Sequence, residues 1–206
     1  MALISVSNNA LSDISTLPAS IPTGSLTLIK SITASASANI SFVHGTDGVV
    51  LDGTYLSYVF KFIDIHPATD NVNLTFNLST DSGSNYNVVK TTTYFTTYHD
   101  EADTSTLLDY STSFDLAQSS NFQLITNGTG NGNDECAVGT LQLFNPSSTT
   151  YVKHYISNMQ HYLSSNYSIN NFSAGYGNTT SAVDAIQFKF SSGNIDDGII
   201  KLYGVK

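Results

Sequence analysis

The sequence has no arginine and no tryptophan, one cysteine, four prolines and only 11% charged residues. Each scarcity closes off a class of function. Without arginine there is no planar donor fork for bidentate capture of a phosphate or a base edge. The seven basic residues are all lysine, form no cluster, and face sixteen acidic ones, for a net charge of -9. No nucleic-acid partner is expected of such a chain. Cys136 stands alone, which excludes an internal disulfide and a thiolate metal cluster. It reads as a small buried or half-buried apolar side chain. No apolar run approaches the roughly 18 residues of a membrane span, so no membrane insertion is expected. Met1 to Asn9 lack the basic and apolar regions of a secretion signal, so synthesis in the cytoplasm is expected. Seven Asn-x-Ser/Thr triplets, at Asn39, Asn73, Asn77, Asn127, Asn166, Asn171 and Asn178, therefore carry no glycosylation meaning.

What remains is a sparsely charged, hydroxyl-rich chain. Ser, Thr, Asn and Gly supply the polarity that charge supplies elsewhere, since charged residues usually make up about 25%. Such a surface suits repeated contact with copies of itself, or with sugar. Hydrophobic residues make up 40% of the 206, enough for one core in one undivided β domain. Fourteen of the sixteen acids are Asp, a residue of turns rather than helices.

Residues 1–25 differ from the rest: Pro18, Pro22 and Gly24 bracket small residues, and Asn9 to Leu17 allow one helical turn. This stretch reads as a short extended N-terminal arm. From residue 26 to 206 alternation dominates. From Asn71 to Ser79 the even positions are apolar and the odd ones polar, the pattern of a strand with one face in the core and one in water. Tyr58 to Ile65 is apolar at nearly every position, which predicts a central strand covered on both faces. Ile186 to Phe190 and Ile200 to Tyr203 alternate again, and further strands are expected near 26–33, 37–43, 86–95, 121–126, 137–144, 150–161 and 166–174. Asp81 to Asn85 reads as a hairpin loop, Asn145 to Ser148 as a tight turn, Asn127 to Asp134 as a flexible loop, and Ser191 to Gly198 as the last link. Some ten strands with turns at regular intervals predict an all-β fold, an antiparallel β-sandwich that is jelly-roll-like.

Chemistry-bearing patterns are sparse. None of His44, His66, His99, His154 and His161 has metalloprotease spacing, and His154 and His161 fall on opposite faces of one strand. His99, Asp100 and Glu101 form the densest cluster, in what reads as a solvated loop. Asp100, Glu101, Asp103, Asp134 and Glu135 come nearest to a glycosidase carboxyl pair, but each sits in a turn context. No nucleophile elbow or phosphate-binding loop occurs. No catalytic residue, cofactor or metal is assigned. The stretch Ser79 to Tyr86 resembles the Asp-box turn of sialidases, in which the Asp bonds the loop's own backbone; its Asp81 and Asn85 have the spacing of oxygen ligands without the later acids of a strong calcium site. Tyr151, Tyr155, Tyr162, Tyr167 and Tyr176 lie among Ser and Asn in one third of the chain. That is the composition of an adaptable recognition surface, and of a subunit contact.

Several phrases resemble a family of virion structural proteins of marine tailed phages, of the kind infecting cyanobacteria. They are Tyr58 to Phe62, Ile65 to Asp70, Ser79 to Val88, Leu143 to Thr150, Gly175 to Thr180 and Phe190 to Val205, and together they span most of residues 55–206. The resemblance implies a non-enzymatic component of the particle surface, present in many copies: a capsid decoration or a tail fibre. It implies a homotrimer, an arm docked on other virion proteins, and in a tail fibre attachment to the host surface. The alternative from the residues themselves is a carbohydrate-binding module for host-surface glycan, with weak or no glycan-cleaving activity.

Overall fold

The computed structural model describes residues 26–206. The arm expected over residues 1–25 lies outside them. Twelve strands follow in chain order among the described residues: β1 (Leu26–Thr33), β2 (Ile40–Val43), β3 (Ser57–Pro67), β4 (Leu74–Ser79), β5 (Lys90–Asp100), β6 (Thr106–Tyr110), β7 (Gln123–Leu124), β8 (Ala137–Phe144), β9 (Lys153–Leu163), β10 (Tyr167–Gly177), β11 (Ala185–Phe190) and β12 (Ile195–Val205). They form two sheets, β1-β12-β3-β8-β9-β10-β5-β6 and β2-β11-β4-β7. Every pairing is antiparallel. The fold is the β-sandwich that the alternation predicts, with one sheet twice as wide as the other.

Aromatic side chains hold the sheets together. Phe188 on β11 lies at the centre, its ring 5.0 Å from Phe62 and 5.2 Å from Phe60 of the large sheet, edge to face. Phe42 and Phe76 stand 6.4 Å away on its own sheet. Phe62, Phe76, Phe188 and Phe190, the core set indicated by pattern, are all buried. Burial of each such ring stabilises the domain by roughly 1.5–3 kcal/mol.

Two strand environments differ from expectation. On β3 only one face is covered: Tyr58, Phe60, Phe62 and Ile65 are buried, while Lys61 is exposed and Val59 and Ile63 are half-buried. Its outer neighbours are strands of the same sheet, and no second layer lies over them among the described residues. On β4 the reverse holds, for all six residues are buried. The polar face of β4 lies beneath the segments around Tyr86 and Ser120, to whose carbonyls Asn77 Nδ2 donates at 2.7 and 2.8 Å. Lys90 Nζ donates to Asn77 Oδ1 from the start of β5. A polar face is thus buried by pairing each of its groups rather than by exposing them.

The loop at Asp81 to Asn85 is not a hairpin, because β4 and β5 belong to different sheets. It does close on itself as an Asp-box turn would. Asp81 Oδ1 accepts from Asn85 N at 2.9 Å and from Ser79 Oγ at 2.7 Å, and Oδ2 accepts from Asn85 Nδ2 at 2.7 Å. These bonds hold the Asp81 carboxyl below its usual range and use the oxygens that a cation would need. The turn at Asn145 closes as expected, Ser148 N donating to Asn145 O at 3.1 Å. The loop at Asn127 to Asp134 is tied at several points. Thr129 bridges to Val72 and to Leu163, and Gly130 N donates to Tyr162 O at 3.1 Å.

Candidate functional site

Strand parity decides what the five tyrosines can do. On β9 odd residues face the core and even ones face out. Tyr155 is therefore a core residue, 1% exposed. Its hydroxyl shares a 2.7 Å hydrogen bond with Ser173 Oγ, and its ring meets Phe76 edge-on at 4.8 Å. It is not part of a recognition surface. Tyr151 is 70% exposed in the turn before β9. Tyr176 lies on the outer face of the large sheet, opposite His154, their rings 6.1 Å apart. Tyr162 is on the same face but eight residues further along β9, roughly 27 Å away at 3.4 Å per residue. Tyr167 stands across from Asp100 on β10 and faces inward with Ile169. The five do not converge on one site.

The carboxylates likewise fall into two separate places. At the end of β5, Tyr162 Oη reaches Glu101 Oε1 at 3.0 Å and Asn166 Oδ1 at 3.2 Å. Its single proton serves one of them at a time. The acceptor carboxylate raises the Tyr162 phenol above its ordinary range. Asp100 is closed into its own loop, accepting from Thr104 Oγ1 at 2.5 Å and from the amides of Thr104 and Ser105 at 2.8 Å each. Those donors hold its carboxyl below the usual range. His99 Nε2 meets Asp103 Oδ1 at 3.0 Å in the open. His99, Glu101, Gln160, Tyr162 and Ser168 border a depression of about 340 Å³.

The second place is a groove of about 410 Å³ lined by Asp64, His66, Asp134, Glu135, Cys136 and Asp196. Adjacent bulges open it. The register of β3 shifts between Phe62 and Ile65, and that of β12 between Ile195 and Ile199. Asp64 has φ 51° and Gly198 φ 116° there, and a Cβ on Gly198 would come within 2.5 Å of Asp64 O. Bulges of this kind splay a ladder and re-aim side chains. His66 Nε2 pairs with Gly132 O at 3.1 Å, which leaves Nδ1 toward Asp196 Oδ2 at 4.0 Å. Glu135 Oε2 accepts Gly132 N at 2.6 Å and fills the space where Gly130 lacks a Cβ. Burial and the nearby Asp64 charge push the Cys136 thiol up, away from thiolate reactivity. No group of three or more His, Cys, Asp or Glu side chains has metal-holding geometry among the described residues. The acids singled out by sequence are divided between these two places, and Asp100 and Glu135 are engaged in closing their own loops.

The outer face of the large sheet has a different character. Across it, Thr93, Ala174, Ile156, Gln142, Val59, Tyr203 and Leu28 are consecutive cross-strand partners. This uncharged row crosses seven strands, roughly 29 Å at 4.7–4.9 Å per strand. Ile156 is 55% exposed and Leu28 53%. In the next row Phe95 and Phe172 stack at 4.8 Å with their planes 12° apart. Nothing in the local sequence marks this row, because its members come from seven separate strands. The chain matches no protein-family model, no curated protein and no solved structure.

Proposed function

We propose that this chain is a non-enzymatic subunit of a phage particle surface that assembles with copies of itself through the outer face of its eight-stranded sheet. The observation that carries the reading is the uncharged row from Thr93 to Leu28, flanked by the Phe95–Phe172 stack. A broad face with exposed Ile, Phe and Leu is the surface of an assembling protein rather than of a solitary one. Lys61 and Lys201 lie paired toward one end of this face and Glu101 and Asp103 at the other, so two copies laid head to tail place unlike charges together.

The virion part of the reading rests on the phrases that resemble phage structural proteins. In the fold these phrases lie on core strands and self-closing turns: β3, the Asp81 loop, the Asn145 turn and β12. They are the parts that make a scaffold, as expected of a protein whose work is to hold position. Trimeric assembly and docking of the residues 1–25 arm on neighbouring virion proteins belong to the same proposal. Immunogold labelling of intact purified particles with antibodies to the folded domain tests it. Label on intact particles supports surface placement, and label only on unassembled protein in the lysate contradicts it.

A further inference from the structure

The narrower sheet leaves one end of the wide sheet without a facing strand. Its last strand there, β7, has only two residues, Gln123 and Leu124. Beyond it the inner face of β5, β6 and β10 is faced by the loop that carries Phe114, and a cleft of about 410 Å³ lies between them. That is the size of a small-molecule site, which typically runs from about 300 to 1,000 Å³.

We propose that this cleft binds a neutral saccharide. The rings of Tyr98 and Tyr167 meet at 5.3 Å with their planes 87° apart, forming an aromatic corner. Thr96 lines the cleft and is only 9% exposed; its Oγ1 is sealed from solvent, so the rest of its small side chain forms the floor. Asp109 of β6 is the direct cross-strand partner of Thr96, and Ser111 follows on the same rim. The set is selective. No lysine lines the cleft, so an anion finds no counter-charge, and a single carboxylate does not make a cation site. A pyranose matches it group by group. Its C–H faces cover tyrosine and Phe114 rings. Its hydroxyls can donate to Asp109 and exchange hydrogen bonds with the Ser111 hydroxyl on the same rim. This goes beyond the assembly reading and does not depend on it, since the cleft opens on the inner face of the sheet and the assembly row lies on the outer one.

Amide chemical-shift titration of the full chain with glucose, galactose, mannose, N-acetylglucosamine, maltose, cellobiose and lactose tests the proposal, with glucuronate as the anionic comparison. At least one neutral sugar is expected to shift the amides of Thr96, Tyr98, Asp109 and Tyr167 saturably, and glucuronate to bind more weakly. Tyr167→Leu, which removes one wall of the aromatic corner, is expected to weaken that sugar by about tenfold. Asp109→Asn, at an exposed position, is a second variant expected to weaken it without affecting folding. The proposal is overturned if no neutral sugar shifts these amides, if the shifts lie elsewhere, or if both variants bind as the parent does.

Discussion

Lys90 Nζ donates to Asn77 Oδ1 in the interior, joining the first residue of β5 to the middle of β4 across the two sheets. It also donates to Val88 O at 2.9 Å. Burial brings the Lys90 ammonium down to about 7. Between about pH 7 and the ordinary lysine value of 10.5 the unfolded chain holds a proton that the folded chain has released. Stability therefore rises with pH through that window. The rise from pH 7 to pH 9.5 is expected to be about 3 kcal/mol by urea unfolding. Above about pH 10 the buried phenols of Tyr94 and Tyr155, both raised by burial, reverse the trend. Lys90→Met should flatten the rise without loss at pH 7, because Asn77 Oδ1 keeps the amide of Leu78 at 2.8 Å.

His161 sets the acid limb. Its Nε2–H donates to Asn127 O at 2.7 Å, and Nδ1 accepts from Asn171 Nδ2 at 3.3 Å, which fixes a neutral ring. Burial lowers its pKa from 6.5 to about 4. The unfolded chain gains the proton first on acidification, so stability present above pH 6.5 is lost as pH falls toward 4, by about 3 kcal/mol. His161→Gln offers the same donor and acceptor without titrating, and its stability should stay level over that interval. A parallel loss in the variant would assign the acid limb to other groups.

Gly175 lies on β10 where the neighbouring strand approaches closely. A Cβ there would come within 2.5 Å of Thr91 O and 2.8 Å of Thr92 Cα, both backbone atoms. Gly175→Ala is expected to destabilise the domain by about 1–3 kcal/mol in denaturant unfolding. At Gly53 the nearest atom is Ser147 Oγ at 3.9 Å, and Gly53→Ala should be close to neutral.

Phe188→Ala removes the ring shared by both sheets and should cost about 3–5 kcal/mol, the range for a large ring lost from a close-packed core. A loss near 1 kcal/mol would mean that the four surrounding rings collapse into the space.

The periodicity of the sequence made most of the sandwich readable. The expected strands at 26–33 and 137–144 match β1 and β8. Alternation reports which side chains share a face, but not which strand or segment lies opposite. Alternation alone therefore predicts a β4 half in water and an Asp81 loop that joins paired strands, whereas β4 is covered on both faces and the loop links two sheets. The strand β6, with the sequence Thr-Leu-Leu-Asp-Tyr and all five residues exposed, has no buried face and so no pattern to read. Tyr155 is adjacent in sequence to surface residues and buried by parity, which only the register of β9 decides. The outer row assembles from seven strands, and the cleft joins the stretch from Thr96 to Phe114 to residues of β9 and β10, so no local motif marks either.

The central claim is that the outer face of the large sheet holds copies of this chain together. Light scattering of the full chain and of Ile156→Asp tests it most directly, because Ile156 sits mid-row and 55% exposed, where a charge leaves the fold intact. The full chain is expected to be a multimer, of three copies, that falls to a monomer in the variant. A parent that is monomeric at every concentration, or an Ile156→Asp multimer of unchanged mass, would contradict it.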